Sequence, residues 1–280
     1  MRTAPDTPPV PAAGSPVVLP PELSLAGLAA AAVPISWLWY GYLAPGNVTL
    51  LTSRWKAGKT TLVSVLLARL KAGGSLAGLP VAPARTVVVT EEPAARWIER
   101  SQRLDLGDAV SWQCRPFRTK PRMAEWLALI DRLGELRGRG IDLGVIDPLS
   151  EFLPGRNENN AGVMLEALLP LRRLTDAGMA VLLLHHPRRA DSPAGCAGRG
   201  SGALLAYADI LLEMYAYPHA AETDRRRRLV GCSRLDDTPR QLVIELNAAG
   251  HRLPVPRGFR RGRVRRRLAA AAPGAGGGPL

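Results

Sequence analysis

A chain of 280 residues, 46% of them hydrophobic, has material for one large domain with extensions or two small ones, and for a sizeable core. The formal charge of +13 points to an anionic partner, yet residues 251–280 carry eight arginines and no acid, so the rest of the chain is only mildly basic. Cys114, Cys196 and Cys232 are isolated and odd in number; they exclude a disulfide framework and a zinc site, and they fit a reducing cytoplasm.

Residues 1 to about 22 are rich in Pro, Ala and Thr and are expected to stay disordered or extended. The apolar stretch Leu23 to Ile35 is too short to span a bilayer and follows an almost uncharged leader, so it predicts a helix or packing arm and no membrane association. The expected organisation is an arm over 1–33, a folded domain over 34–250 and a flexible basic tail over 251–280.

Asn47-Val-Thr-Leu-Leu-Thr-Ser-Arg-Trp-Lys-Ala-Gly-Lys-Thr-Thr-Leu62 is the most informative segment. A β-type run enters a tight turn ending in Gly58-Lys59-Thr60 and leaves as a helix, which is how a phosphate cradle is built from backbone N–H groups and a helix N-terminus. In that cradle Ser53, Arg54, Trp55, Lys56, Ala57, Gly58, Lys59, Thr60 and Thr61 surround the phosphates of a nucleotide such as ATP. Lys59 reaches the β- and γ-phosphates, and Thr60 places its hydroxyl on Mg²⁺. Ser53 departs from the pattern by standing where a first glycine, free to take positive φ, is expected.

Strands are expected at Thr86–Thr90, Val110–Cys114, Leu143–Asp147 and Ala180–His185, alternating with helices from Lys59, from Pro93, from Met123 and over Ala161–Ala177. Near-continuous apolar runs such as Thr86-Val-Val-Val-Thr90 suit strands buried on both faces, hence a mainly parallel sheet covered by helices. Later strands at Asp209–Met214, Arg228–Ser233 and Gln241–Leu246 end in an antiparallel hairpin turned by Asp236-Asp237-Thr238-Pro239.

Ligands of such sheets collect at the carboxyl ends of the strands. Leu143-Gly-Val-Ile-Asp147 resembles a Walker B strand, with Asp147 as the metal carboxylate. Glu91 and Glu92 end another strand; Glu91, nearest the strand, is the candidate to polarise water, and Glu92 suits the start of the following helix. His185 and His186 end a third, either as hydrogen-bond donors to a γ-phosphate or as a structural pair. Arg188 to Gly202, with three arginines and four glycines, has the composition of a mobile loop.

In this order the motifs resemble those of the RecA-like P-loop ATPases, α/β proteins with a mainly parallel sheet, and most closely the RepA-type hexameric helicase branch labelled AAA family ATPase. The resemblance runs from Trp37 to Leu246 and includes Gly198-Arg-Gly-Ser-Gly-Ala-Leu204 with Asp209. It implies ATP hydrolysis with Lys59, Thr60, Glu91 and Asp147 in the roles above, His185 or His186 as a phosphate sensor, and Arg199 as an arginine finger acting across a subunit boundary. It also implies a homo-oligomeric ring acting as a motor on single-stranded DNA in mobile-element or plasmid-type replication. The rival expectation is an ATP-gated assembly or binding module with slow turnover.

Overall fold

The computed structural model describes residues 21–31, 34–155, 160–186, 202–217 and 224–245. By its contacts the chain divides into a unit of residues 1–35 and a unit of residues 36–280. The first contains one short helix, α1 (Leu25–Ala31), whose Leu25 and Leu28 are exposed.

The second unit is an α/β sandwich. Strand β1 (Val48–Ser53) feeds α2 (Lys59–Ala72), then a two-strand hairpin of β2 (Gly74–Leu76) and β3 (Leu79–Val81) that the sequence pattern did not reveal. β4 (Thr86–Thr90), α3 (Ala94–Leu104), β5 (Val110–Cys114), α4 (Met123–Gly138) and β6 (Leu143–Asp147) follow in regular alternation. The short helix α5 (Leu149–Phe152) leads towards α6 (Ala161–Leu168) and α7 (Arg172–Asp176), and β7 (Ala180–His185) follows.

The single helix expected over Ala161–Ala177 is in fact α6, a 3₁₀ turn at Leu169–Leu171, and α7. Pro170 is the reason: it offers no N–H to the preceding turn and its ring crowds the carbonyl four residues back. Helix α8 (Gly202–Tyr207) then leads into β8 (Ile210–Ala216), β9 (Arg226–Ser233) and β10 (Gln241–Glu245). β8 begins one residue later than expected, after Asp209, whose carboxylate accepts the Val48 N–H at 2.8 Å and so ties the strand's entry to β1.

One eight-stranded sheet runs in the order β10-β9-β8-β1-β7-β6-β4-β5. β8, β1, β7, β6, β4 and β5 are parallel, and β9 and β10 add the antiparallel hairpin. Because every residue of β1, β4 and β6 is buried, adjacent side chains feed opposite cores. Leu51, Val88, Val145 and Leu182 pack with Leu62, Leu66 and Leu70 of α2 on one face. Leu50, Val87, Val89, Ile146 and Leu183 pack with Trp126 of α4 and Leu168 of α6 on the other.

The hairpin wing is anchored from the N-terminal side of the domain. Tyr40 Oη donates to Asp237 at 2.9 Å and Tyr42 Oη to the Pro239 carbonyl at 3.3 Å. Gly41 sits at φ 75°, where a Cβ would lie 2.4 Å from the Pro239 ring, so glycine is needed there for both conformation and space.

Candidate functional site

Strand register lines up the sequence-predicted residues along one edge. Thr52 pairs with His185 across β1 and β7, and Ile146 with Leu183 across β6 and β7. Thr90 pairs with Asp147 across β4 and β6. The carboxyl ends of four parallel strands therefore deliver Ser53, His185, Asp147 and Glu91 to the same rim.

The turn from Ser53 to Gly58 then folds back over β1. Lys56 takes φ 57° and Gly58 φ 102°, and the Leu62 N–H bonds the Gly58 carbonyl at 3.0 Å to start α2. A Cβ on Gly58 would meet nothing within 4 Å, so its requirement is purely the left-handed backbone. Ser53 is not among the positive-φ residues, so the glycine expected at this position is not required there for a left-handed backbone. Instead its side chain is buried and used: Ser53 Oγ donates to the Arg54 carbonyl at 3.0 Å and accepts from Lys59 Nζ at 3.0 Å.

Lys59 is the centre of the constellation and only 4% exposed. Its ammonium also donates to the Ser53 carbonyl at 3.3 Å and to His186 Nδ1 at 2.8 Å. An ammonium has no lone pair, so Nδ1 is the accepting nitrogen and the proton of the neutral imidazole is on Nε2. Burial pushes the Lys59 ammonium down to about 8, partly offset by attraction to Asp147. Burial, then repulsion from Lys59, holds the His186 imidazole below its ordinary value, in keeping with the neutral form. Of the two histidines, His186 is the one that touches the lysine; His185 is half-buried at the end of β7.

Thr60 opens α2 and reaches across β7 to β6, where its hydroxyl donates to Asp147 Oδ2 at 2.8 Å. Asp147 is 7% exposed; burial raises its carboxyl, opposed by the Thr60 hydrogen bond and by Lys59. The hydroxyl and carboxylate oxygens are hard donors. They match the habit of Mg²⁺, which takes one or two protein oxygens and completes its shell with water and substrate phosphates. Among the described residues no group of three or more His, Cys, Asp or Glu is arranged as a metal cage.

The two glutamates after β4 differ sharply. Glu92 is held by Arg100 of α3, which grips both carboxylate oxygens, one of them at 2.8 Å, while the same guanidinium covers the Trp97 ring. Glu91 is exposed, its N–H bonded to the Asp147 carbonyl at 3.2 Å and its own carbonyl accepting from Arg115 Nε at 2.8 Å. Partial burial, then repulsion from Glu151, Asp147 and Glu92, raises the Glu91 carboxyl, and Arg115 opposes this.

The rest of the turn, Arg54, Trp55 and Lys56, is exposed, with Lys56 Nζ 4.3 Å from the Trp55 ring centre. Ala57 offers its carbonyl to Arg227 Nε of β9 at 2.9 Å, so the hairpin wing braces the turn. Sequence reasoning missed that brace, as it missed the Ser53 hydroxyl; both depend on neighbours brought from far along the chain. Arg199 lies outside the described residues, as do the leader, the loop over 187–201 and the basic tail.

A glycine-turned phosphate-type loop on a central strand, with a carboxylate at the end of the strand next but one, defines the RecA-like P-loop class of α/β proteins. Residues 15–192 match the AAA domain family, and the chain belongs to it. The matched span includes the loop, both glutamates, Asp147 and both histidines. The domain is accordingly of the ATPase type and binds nucleotide. No curated protein matches the chain. Among the described residues no helix is long and apolar enough to cross a membrane.

Proposed function

We propose that this site hydrolyses ATP with Mg²⁺ and that the chain works as a ring-forming motor on single-stranded DNA in mobile-element or plasmid-type replication. The observation that carries the chemical half is the 2.8 Å approach of Thr60 to Asp147 beside the buried Lys59.

In this reading Lys59 turns from Ser53 and His186 to the β- and γ-phosphates, and the His186 ring N–H donates to a phosphate oxygen. Thr60 and Asp147 hold the metal, which neutralises charge across the phosphates when bound. Glu91, ionised, accepts a hydrogen bond from the attacking water and then its proton. Its raised carboxyl brings the basicity closer to neutral pH, which favours proton transfer. Glu92 is committed to Arg100 and takes no part. Arg199 from a neighbouring subunit supplies positive charge to the transition state, an effect of about 10³–10⁵ in rate for such fingers.

The ATP-gated assembly module is the second reading, favoured by the Ser53 and His186 contacts that a phosphate must displace from Lys59. Phosphate release with and without a poly(dT) oligonucleotide, together with solution mass, separates the two. A motor turns over faster with DNA and forms a closed oligomer; a gate binds nucleotide, assembles and barely releases phosphate. Turnover indifferent to DNA in a monomer refutes the motor.

A further inference from the structure

The segment Arg115-Pro-Phe-Arg-Thr-Lys-Pro-Arg122 joins β5 to α4 and carries four cations in eight residues without an acid. It leaves the same carboxyl rim as Glu91, next to the nucleotide site but separate from the lysine, threonine and aspartate that form it.

This loop is fastened at several points. The Arg115 N–H bonds the Thr90 carbonyl at 2.7 Å, and its Nε holds the Glu91 carbonyl. Phe117 turns inward, packing on the core beneath with its ring 6.4 Å from that of Phe152. Lys120 Nζ donates to the Ser150 carbonyl. The Arg122 N–H donates to the Glu125 carboxylate at 2.8 Å, which fixes the start of α4. So anchored, the loop presents Arg115, Arg118, Lys120 and Arg122 to solvent on a settled backbone.

Those charges are poorly compensated. Among the described residues the carboxylate that ion-pairs to the loop is Glu125, through Arg122 at 3.5 Å on an 87% exposed side chain, a pair worth little. Arg118 is exposed and makes no hydrogen bond or ion pair among the described residues.

We propose that the 115–122 loop binds the phosphate backbone of nucleic acid, which under the proposed function is the single strand on which the motor acts. A protein partner would need an apolar or aromatic anchor to bury at its centre. The loop's one aromatic, Phe117, is already spent on the core, and what remains outside is three arginines, a lysine and Thr119. Guanidinium forks and a hydroxyl suit phosphate oxygens, and with no exposed ring to stack on, the contact is blind to base identity.

The test is fluorescence anisotropy of the full chain on labelled 20-nucleotide poly(dT), titrated with salt in the presence of a non-hydrolysable ATP analogue. Arg118→Ser with Lys120→Ser is expected to weaken binding about tenfold at low salt and to make the log–log salt slope shallower by about 1.4, two contacts at about 0.7 each. Arg118→Ser alone is expected to show half of that slope change, and it breaks no contact with the described residues, so it reads the loop even if the double variant is unstable. Binding of a fluorescent ATP analogue is expected to be unchanged, and poly(dA) to behave as poly(dT). A wild type that binds the oligonucleotide while both variants keep its affinity and slope overturns the loop and leaves the function standing. A wild type that binds the ATP analogue but no oligonucleotide overturns the loop and the DNA half of the function together. Poly-glutamate that competes as well as poly(dT) and loses its hold in the same variants reassigns the loop to acidic proteins and overturns the proposal.

Discussion

Replacing Lys59 by methionine separates what the ammonium costs the fold from what it does for nucleotide. The side chain is 4% exposed, and burial lowers its ammonium from 10.5 to about 8. Holding it charged at neutral pH therefore costs about 3 kcal/mol relative to an ordinary lysine. Methionine removes that cost but takes the lysine donor from the Ser53 hydroxyl, the Ser53 carbonyl and His186 Nδ1, a loss of about 1 kcal/mol each. The expected balance at pH 7 is close to zero, within about 1 kcal/mol, or about 2–4 °C in Tm for a domain of this size.

The pH dependence has a definite sign. A lysine whose folded-state value lies below its unfolded value binds fewer protons when folded, so stability rises with pH between about 8 and 10.5. Urea titrations at pH 7 and pH 10, without nucleotide, are expected to show the wild type gaining about 3 kcal/mol on Lys59→Met over that interval. With an ATP analogue at about 100 times Kd, the wild type gains a further 2.7 kcal/mol or so and the variant nothing. A variant less stable than the wild type by several kcal/mol at pH 7, or a difference that does not change with pH, refutes the reasoning; a variant still stabilised by the analogue refutes Lys59 as a phosphate ligand.

Glu91→Gln is expected to bind ATP normally and to lose turnover by about 10² or more, whereas Glu92→Gln keeps turnover and costs the Arg100 pair alone; phosphate release from the two variants checks the assignment. Because the Glu91 carboxyl is raised, the acid limb of the wild-type rate profile is expected above the ordinary glutamate value of 4.5, with activity lost as pH falls through it. Thr60→Val removes the hydroxyl bonded to Asp147, and the Mg²⁺ dependence of ATP-analogue binding is expected to weaken at least tenfold with the fold intact by circular dichroism. Mixing Arg199→Ala with Lys59→Ala subunits is expected to restore part of the activity that each lacks; no recovery at any ratio counts against a finger acting across subunits.

Much of this was legible along the chain because local patterns carried it. Continuous apolar runs marked strands buried on both faces, and the glycine-lysine-threonine turn between a strand and a helix marked the phosphate-type loop. Asp147 and Glu91 were found as polar residues closing such runs, since a carboxylate at a strand end is visible from its own neighbours. Other features were decided only when distant segments met. Crossovers placed β6 two strands from β1, near enough for Thr60 to touch Asp147, 87 positions away. Glu92 is claimed by Arg100, and His186 rather than His185 faces Lys59, because helix α3 and the exit of β7 fix which side chain points where. The Ser53 hydroxyl read as a flaw because sequence shows the missing glycine; the backbone puts its positive φ on Lys56 and Gly58 instead, leaving Ser53 extended at the end of β1 with its oxygen against the lysine. Sequence fixes which groups are available and the period at which they repeat, whereas which of them become neighbours follows from the order and register of the strands.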